Sequence, residues 1–214
     1  LLALGLVAAL LESKESKKGQ VVDAAMTDGS ALLMTMIYTM QSSGMWKTSM
    51  GSNLLDGGSH FYDTYECKDG KFISLGSIEP QFYALLCQIA ELDESIFSNQ
   101  MSRDSWPDQK EAIKKIILDK TRDEWCELME GTDVCFAPVL DMSEAPKHPH
   151  NVERKTFIDL EGVTQPAPAP RFSRTEPEVV SSPSVVGEHT DEVLTSIGFS
   201  DEDINTLKTS GAVA

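Results

Sequence analysis

The sequence predicts a mixed α/β fold of the α+β kind, and three observations point there. Short β-type runs alternate with amphipathic helical stretches along most of the chain. Several of those helices carry their own start signals, as prolines or capping pairs placed where a helix N-terminus uses them. An Asp-Gly pair joins two neighbouring β-type runs, and its glycine supplies the positive φ that a hairpin turn needs. With 214 residues, 41% hydrophobic and 24% charged, the chain has room for one medium domain or two small ones around a core.

The chain opens LLALGLVAALLESKESKKGQ, without an initiator Met. This run lacks the basic flank and small-residue cleavage site of a signal peptide. Its eleven residues before Glu12 are well short of the ~20 that a membrane span needs. It reads as a buried helix ending at a charged turn with Gly19, and a chain that opens in mid-helix is expected to be part of a longer protein. Residues 20–22 form a β-type run, and Asp23 is placed to cap a helix beyond it. From Met26 to about Gln41 the chain is rich in Met, Leu and Ile, and GSNLLDGGSH then marks a long loop.

Residues 61–67 and 71–75 are the two runs joined through Asp69-Gly70. Pro80 opens the helical stretch QFYALLCQIAEL, where proline's missing N–H costs nothing. Pro107 does the same for DQKEAIKKIILDK, whose Ile113, Ile116, Ile117 and Leu118 make an apolar face. Thr121 with Glu124 is a capping box for EWCELME. Residues 134–139 read as a buried strand. Pro166, Pro168, Pro170, Pro177 and Pro183 suit an extended connector over 165–183. Two short helices close the chain, one over 191–197 capped by Thr190, the other opened by Ser200-Asp201-Glu202-Asp203.

Lys plus Arg number 18 against 34 Asp plus Glu, a net charge of −16. Such a surface repels phosphate polyanions, which argues against nucleic acid as a partner. Residues 1–50 hold four acids and four bases, so the whole excess falls in 51–214. An anionic ligand would therefore meet few cations on this chain alone. The four cysteines, at 67, 87, 126 and 135, include no CxxC pair, and no His completes a zinc set. Cys87 and Cys126 lie in amphipathic helical contexts, where a thiol acts as a small hydrophobe. Without a secretory signal, reduced cysteines and an intracellular chain are expected.

No single motif is a catalytic signature: GxSxG, P-loop and HExxH are absent, and Gly57-Gly58 is far short of a dinucleotide loop. His148-Pro149-His150 reads as a solvated loop, with a metal pair as its functional alternative. His189 reads as a residue at a helix start, with a general base as the alternative. Met26, Met34, Met36, Met40, Met45 and Met50 are either core filling or a pliable apolar surface for a lipid chain. Glu79 sits at a strand–helix junction behind a hairpin bearing Tyr62 and Tyr65. Such a junction commonly presents functional groups, and the plainer reading is that Glu79 complements the helix N-terminus.

The run NLLDGGSHFYDTYECKDGKFISLGSIEPQFY does not stand alone. With GQVVDAAMTDG, GMW, DSWP, EWCELMEGTDVCFAPV, HPHNVER and GEHTDEVL in order around it, the chain resembles the α-methylacyl-CoA racemases. These are a branch of the superfamily that also holds the class III CoA-transferases. The resemblance implies an isomerase that removes the α-proton of a 2-methylacyl-CoA thioester and returns one to the opposite face, with no metal and no cofactor. A C–H beside a thioester is a weak acid, so the reaction needs a positioned base, an opposing acid and stabilisation of the enolate. In the family these are a His and an Asp upstream of the GQVVDA-type motif, outside this sequence. Asp23 and Asp28 fall in motif positions without that role.

By the same resemblance, Glu79 corresponds to a glutamate that bonds the catalytic His from the other subunit of a dimer. It orients the imidazole and stabilises its charged form. Tyr62 corresponds to a tyrosine lining the acyl pocket, and Leu55, Ile78 and Pro80 to neighbours of the thioester. The Met-rich helix corresponds to the surface on which the acyl chain rests, while the CoA phosphates are gripped elsewhere. The implied architecture is the small α+β domain of the family III CoA-transferase fold over 61–150, with linkers at 25–60 and 151–168. Residues 1–24 and 169–214 would be remnants of a Rossmann-like large domain, in an interlocked homodimer. Remnants without their sheet would expose the apolar face of LLALGLVAALL and favour association.

Two other readings accompany the resemblance. One is a class III CoA-transferase, in which the upstream Asp is a nucleophile that forms an acyl anhydride; IEPQF and the Met-rich helix favour the racemase. The other is a non-catalytic remnant that kept the small domain. The family works in mitochondria and peroxisomes of animals and in the bacterial cytosol. The ending KTSGAVA is not an SKL-type peroxisomal signal.

Overall fold

The computed structural model describes residues 1–179 and 181–213. Val180 and Ala214, both within the 169–214 segment, lie outside the described residues. The chain forms two compact units, Leu1–Val139 and Leu140–Ala214, and its architecture is mixed α and β.

The first unit opens with α1 (Leu2–Ser16), which ends where Lys17 turns left-handed at φ 62° and donates its amide to Ser13 O at 3.0 Å. The helix forms as expected, but its burial does not: none of its residues is buried, and Leu4 is 68% exposed. A helix apolar on all sides is one that packs inside a larger core, and the described residues of this chain offer α1 no such surface. Residues 20–22 are irregular, since a β-type run becomes a strand only where another strand completes its backbone hydrogen bonds. Asp23 caps nothing: the next helix, α2 (Met26–Leu33), has Ala25 at its N-cap and no side-chain capping bond. The Met-rich stretch breaks at Met34 (φ −82°, ψ 1°) and continues as α3 (Thr35–Ser42). No residue of either helix is buried, so these methionines are not core filling.

Beyond Asn53 the chain packs tightly. β1 (Tyr62–Glu66) and β2 (Phe72–Gly76) form the expected antiparallel hairpin, with Tyr62 opposite Gly76 and Glu66 opposite Phe72. Gly70 takes φ 76° in the turn, and its amide reaches Cys67 O at 2.9 Å. β3 (Phe136–Val139) joins the other side of β2, giving a three-stranded antiparallel sheet in the order β1-β2-β3. The buried strand expected over 134–139 is thus shorter and lies at an edge, alternating half-buried and exposed. Val134 is fully buried, but Cys135 turns left-handed at φ 57° and starts the strand afresh.

Four helices follow the hairpin: α4 (Pro80–Ile89), α5 (Glu94–Phe97), α6 (Trp106–Ile117) and α7 (Arg122–Met129). Pro80 and Pro107 fall in the first turns of α4 and α6. The Thr121–Glu124 capping box starts α7, the Thr121 amide donating to Glu124 Oε2 at 2.7 Å. Ile73 and Leu75 alternate onto the inner face of the sheet and meet Leu86, Ile113, Ile117, Trp125 and Met129 in one cluster. Each such side chain contributes on the order of 1.5–3 kcal/mol by leaving water. Leu118, read as part of the apolar face of α6, is 40% exposed just past the helix end. Every member of the core cluster lies between Phe61 and Val134.

The second unit begins with a 3-10 turn (Ala145–Lys147) and α8 (Pro149–Glu153). Residues 157–166, read from sequence as linker, contain a hairpin of β4 (Phe157–Leu160) and β5 (Val163–Pro166). Its two-residue turn is Glu161-Gly162, with φ 51° and 82°, and two positive φ values in succession are what a tight hairpin requires. α9 (Thr190–Ser196) starts one residue early: Thr190 is already helical, and His189 holds the N-cap without a capping bond. α10 (Asp201–Thr209) carries a Ser200–Asp203 capping box and is tied to α9 by Lys208 and Asp191 at 2.6 Å. Among the described residues, no helix is long and apolar enough to cross a membrane.

Candidate functional site

The long loop before β1 is closely bonded. Asn53 is fully buried. Its side chain accepts from the Lys47 amide at 2.7 Å, and donates to Lys47 O at 2.9 Å and Asp56 Oδ2 at 2.7 Å. The Asn53 amide donates back to Asp56 Oδ1 at 2.7 Å. Burial opposes the charge on Asp56, but these bonds from Asn53, with help from the Ser52 and Gly58 amides, hold its carboxyl below the usual range. Gly58 closes the loop: a Cβ there would stand 2.6 Å from both the N and O of Asn53. Lys110 of α6 bonds both Gly57 O and the Asp63 carboxylate, so the loop is pinned to β1.

This pinning shapes a cleft of about 550 Å³ on the outer face of the sheet. Leu55 and Gly57 of the loop, Tyr62 of β1, Gly76 of β2, and Cys135 and Phe136 line it. Strand alternation separates the two tyrosines of the hairpin. Tyr62 faces the cleft, while Tyr65 turns into the core, where its hydroxyl donates to His60 O at 2.7 Å. Gly76, opposite Tyr62, leaves the cleft open at this rung, for a Cβ there would touch Cys135 O and the Tyr62 ring at 3.5 and 3.9 Å.

Ile78, Glu79 and Pro80 follow β2 at the start of α4, and none of them lines this cleft. Ile78 packs partly buried against the core, whereas Glu79 and Pro80 are exposed. Glu79 is the N-cap of α4 in extended conformation (φ −70°, ψ 142°), yet its carboxylate makes no capping bond. Its place at the N-cap leaves the plainer reading standing, since a carboxylate there complements the helix N-terminus by charge without a capping bond. Its charge still reaches the cleft wall: burial, and after it the negative charges of Glu79 and Asp133, push the Cys135 thiol up from its ordinary pKa.

The segment carrying Glu79 is held from two sides. Ser77 is fully buried, its amide bonding Phe61 O at 3.1 Å and its hydroxyl Val134 O at 2.5 Å. From the other side the Gln100 amide donates to Ser77 O at 3.0 Å and to Ile78 O at 2.9 Å. The sequence reading missed Gln100, Asn53 and Lys110, whose partners lie elsewhere in the chain. Only the Asn-x-x-Asp spacing of Asn53 and Asp56 carried a local hint of a bonded loop.

His60 was also missed. It is fully buried among Phe61, Tyr83 and Phe97, with its Nε2 2.8 Å from the Tyr83 hydroxyl. That hydroxyl donates to Phe97 O at 2.9 Å, so it accepts from His60, which assigns the neutral Nε2–H tautomer. Burial lowers the His60 pKa to about 4. A ring so enclosed and so weakly basic is a core element rather than a proton shuttle. His148 precedes α8, and His189 contacts the Ser184 hydroxyl at 3.3 Å on the surface. Among the described residues no group of three His, Cys, Asp or Glu side chains could hold a metal ion, and the four cysteines are free thiols.

An open, partly apolar cleft beside an unengaged carboxylate can seat an acyl group and offer charge to a cationic partner. Asp63, which also lines the cleft, is paired with Lys110. Residues 1–190 match the CoA-transferase family III model, and the chain belongs to this family. It is 46% identical over 207 residues to a protein of Mus musculus named alpha-methylacyl-CoA racemase, covering 95% of this chain and 54% of that one. The Homo sapiens protein of the same name is 42% identical over 208 residues, covering 96% and 54%. The chain thus spans about half the length of these relatives. Among solved structures, a CAIB/BAIF family protein from Brucella suis matches with a TM-score of 0.66 at 18% identity, covering 91% of this chain and 52% of that one. That likeness establishes the shared fold.

Proposed function

We propose that this chain is the part of an alpha-methylacyl-CoA racemase that supplies an acyl pocket and one supporting carboxylate. The enzyme interconverts (R)- and (S)-2-methylacyl-CoA thioesters by removing and returning the α-proton. The observation that carries this reading is the identity to the two racemases, sustained over nearly the whole chain. In this reading Leu55 and Tyr62 border the acyl group, Ile78 and Pro80 lie near the thioester, and Glu79 orients and charge-compensates a catalytic His. That His, and the Asp opposed to it, come from outside these 214 residues. The unengaged carboxylate of Glu79 supports the assignment, since a side chain that capped its own helix would be unavailable to a partner.

The remaining proposals follow from the same relationship. Residues 61–150 act as the small domain, 25–60 and 151–168 as linkers, and 1–24 and 169–214 as parts of a large domain. Two copies interlock so that Glu79 of one serves the His of the other, and, in an animal, the enzyme works in mitochondria, peroxisomes or both. No metal or cofactor takes part. The test is deuterium wash-in at the α-carbon of a 2-methylacyl-CoA in D2O, followed by NMR. The complete encoded enzyme should exchange this proton and the 214-residue chain alone should not. Glu79→Gln should lower turnover about tenfold or more while leaving acyl-CoA binding nearly intact. Exchange by the isolated chain, or normal turnover by Glu79→Gln, would overturn the assignment of roles.

A further inference from the structure

The exposed carboxylate of Glu79 makes no bond to the helix it precedes, so the backbone that carries its Cα sets the region it can reach. That backbone has an unusual support. Nε2 of Gln100 donates to two successive carbonyls, Ser77 O at 3.0 Å and Ile78 O at 2.9 Å. A primary amide nitrogen has two hydrogens, and both are spent here. The Ile78 carbonyl belongs to the peptide unit that joins Ile78 to Glu79. Because a peptide unit is planar, holding that oxygen also fixes the plane on which the Glu79 Cα is carried. Holding Ser77 O fixes the preceding plane in the same way.

Gln100 is itself anchored. Trp106 Nε1 donates to its main-chain carbonyl at 2.8 Å, and Trp106 is buried within the core cluster. On the far side, the Ser77 hydroxyl reaches Val134 O at 2.5 Å. The segment 77–79 is therefore clamped between the core helix α6, through Trp106 and Gln100, and the lead-in to β3. Only then does Pro80 begin α4. Resting on the role proposed above for Glu79, we infer that Gln100 is a positioning residue of the reaction, acting through Glu79 by locking the two peptide planes before it. Its side chain touches neither substrate nor the reacting atoms. It restricts where a carboxylate with no side-chain restraint can reach. Small misplacements of a catalytic group are costly, about 10²-fold for one of roughly 1 Å.

The test is a double-mutant cycle on the complete encoded enzyme, read by α-proton exchange. Gln100→Met keeps the length of the side chain and removes both donors. It should lower kcat roughly ten- to a hundredfold while KM for the 2-methylacyl-CoA stays within about twofold. In a Glu79→Gln background the same substitution should cost little more, because two residues acting through one carboxylate are not additive. An equal loss in both backgrounds, or a loss confined to KM, would show a general structural role and overturn the inference. Normal kcat for Gln100→Met with a slow Glu79→Gln enzyme would sink the clamp alone. Normal kcat for Glu79→Gln would instead sink the reading on which the clamp rests. Thermal unfolding of each variant guards against misfolding. If Gln100→Met unfolds, Gln100→Asn, which withdraws the amide by one methylene, carries the same comparison with the same outcomes.

Discussion

Helices α1 to α3 and the body from Asn53 to Val139 both carry many large apolar side chains, yet only the body buries them. In the body, Phe61, Ile73, Ile113, Ile117 and Trp125 are each fully inaccessible. In the helices, Leu4 is 68% and Met26 88% exposed. The difference lies in whether the chain supplies a surface for the apolar residues to meet. Strands β1 and β2 alternate, and α6 shows a stripe, so each presents one face to a shared centre. α1 is apolar in every direction, and α2 and α3 break at Met34. Apolar content makes a helix possible, whereas a one-sided pattern with a matching partner makes a core.

The comparison can be broken at several depths. Trp125 fills the centre of the body and donates its indole N–H to Ile117 O at 2.9 Å. Trp125→Ala should cost about 3–5 kcal/mol, read as a shift in the midpoint of urea unfolding. An unmoved midpoint would mean that the body is not the cooperative unit.

The next effect depends on pH. His60 is held neutral, with a folded pKa of about 4 against 6.5 for the free side chain. Below pH 6.5 the unfolded chain takes up a proton that the folded chain refuses, so stability falls as pH drops from 6.5 and levels off below 4. The loss amounts to about 3 kcal/mol over that window. His60→Leu should flatten the dependence while Tyr83 keeps its bond to Phe97 O. A slope unchanged by the substitution would assign it to other groups.

Gly58→Ala sharpens the comparison at the edge of the body. The added methyl would meet the Asn53 backbone at 2.6 Å, and relieving it should cost about 1–3 kcal/mol. It should also loosen the cleft that the loop helps to line, seen as faster hydrogen exchange at the Asn53 and Gly58 amides. The smallest effect belongs to the helices. Leu4→Lys should shift unfolding by less than about 0.5 kcal/mol but reduce self-association in sedimentation experiments, since it interrupts an exposed apolar surface. A large loss of stability would mean that α1 packs in solution.

Of the residues singled out by the family resemblance, Leu55 and Tyr62 line the cleft while Ile78 and Pro80 do not, and the sequence could not show that Tyr65, three residues beyond Tyr62, faces the other way into the core. It placed Glu79 correctly at the start of a helix. It could not reveal that the carboxylate leaves that helix unbonded, or that Gln100 holds the backbone beneath it. The β4–β5 hairpin went unread because Glu161-Gly162 is a weaker turn signal than Asp69-Gly70, and only the φ of 51° at Glu161 shows that the turn is tight.

The sequence by itself determined whatever is decided by atoms a few residues apart. The Asp69-Gly70 turn, the Pro80 start of α4 and the Thr121–Glu124 capping box all belong to this class, because each closes within a single turn of chain. The mixed fold followed from these signals in series. Tertiary structure alone decided the burial of His60, the exposure of α1, the edge position of β3 and the bonds from Gln100 to the backbone before Glu79. In each case the deciding partner is distant in sequence, as with Gln100 and Ile78 at 22 residues or Ser77 and Val134 at 57. No local pattern encodes which of many buried polar groups will meet once the apolar faces have closed.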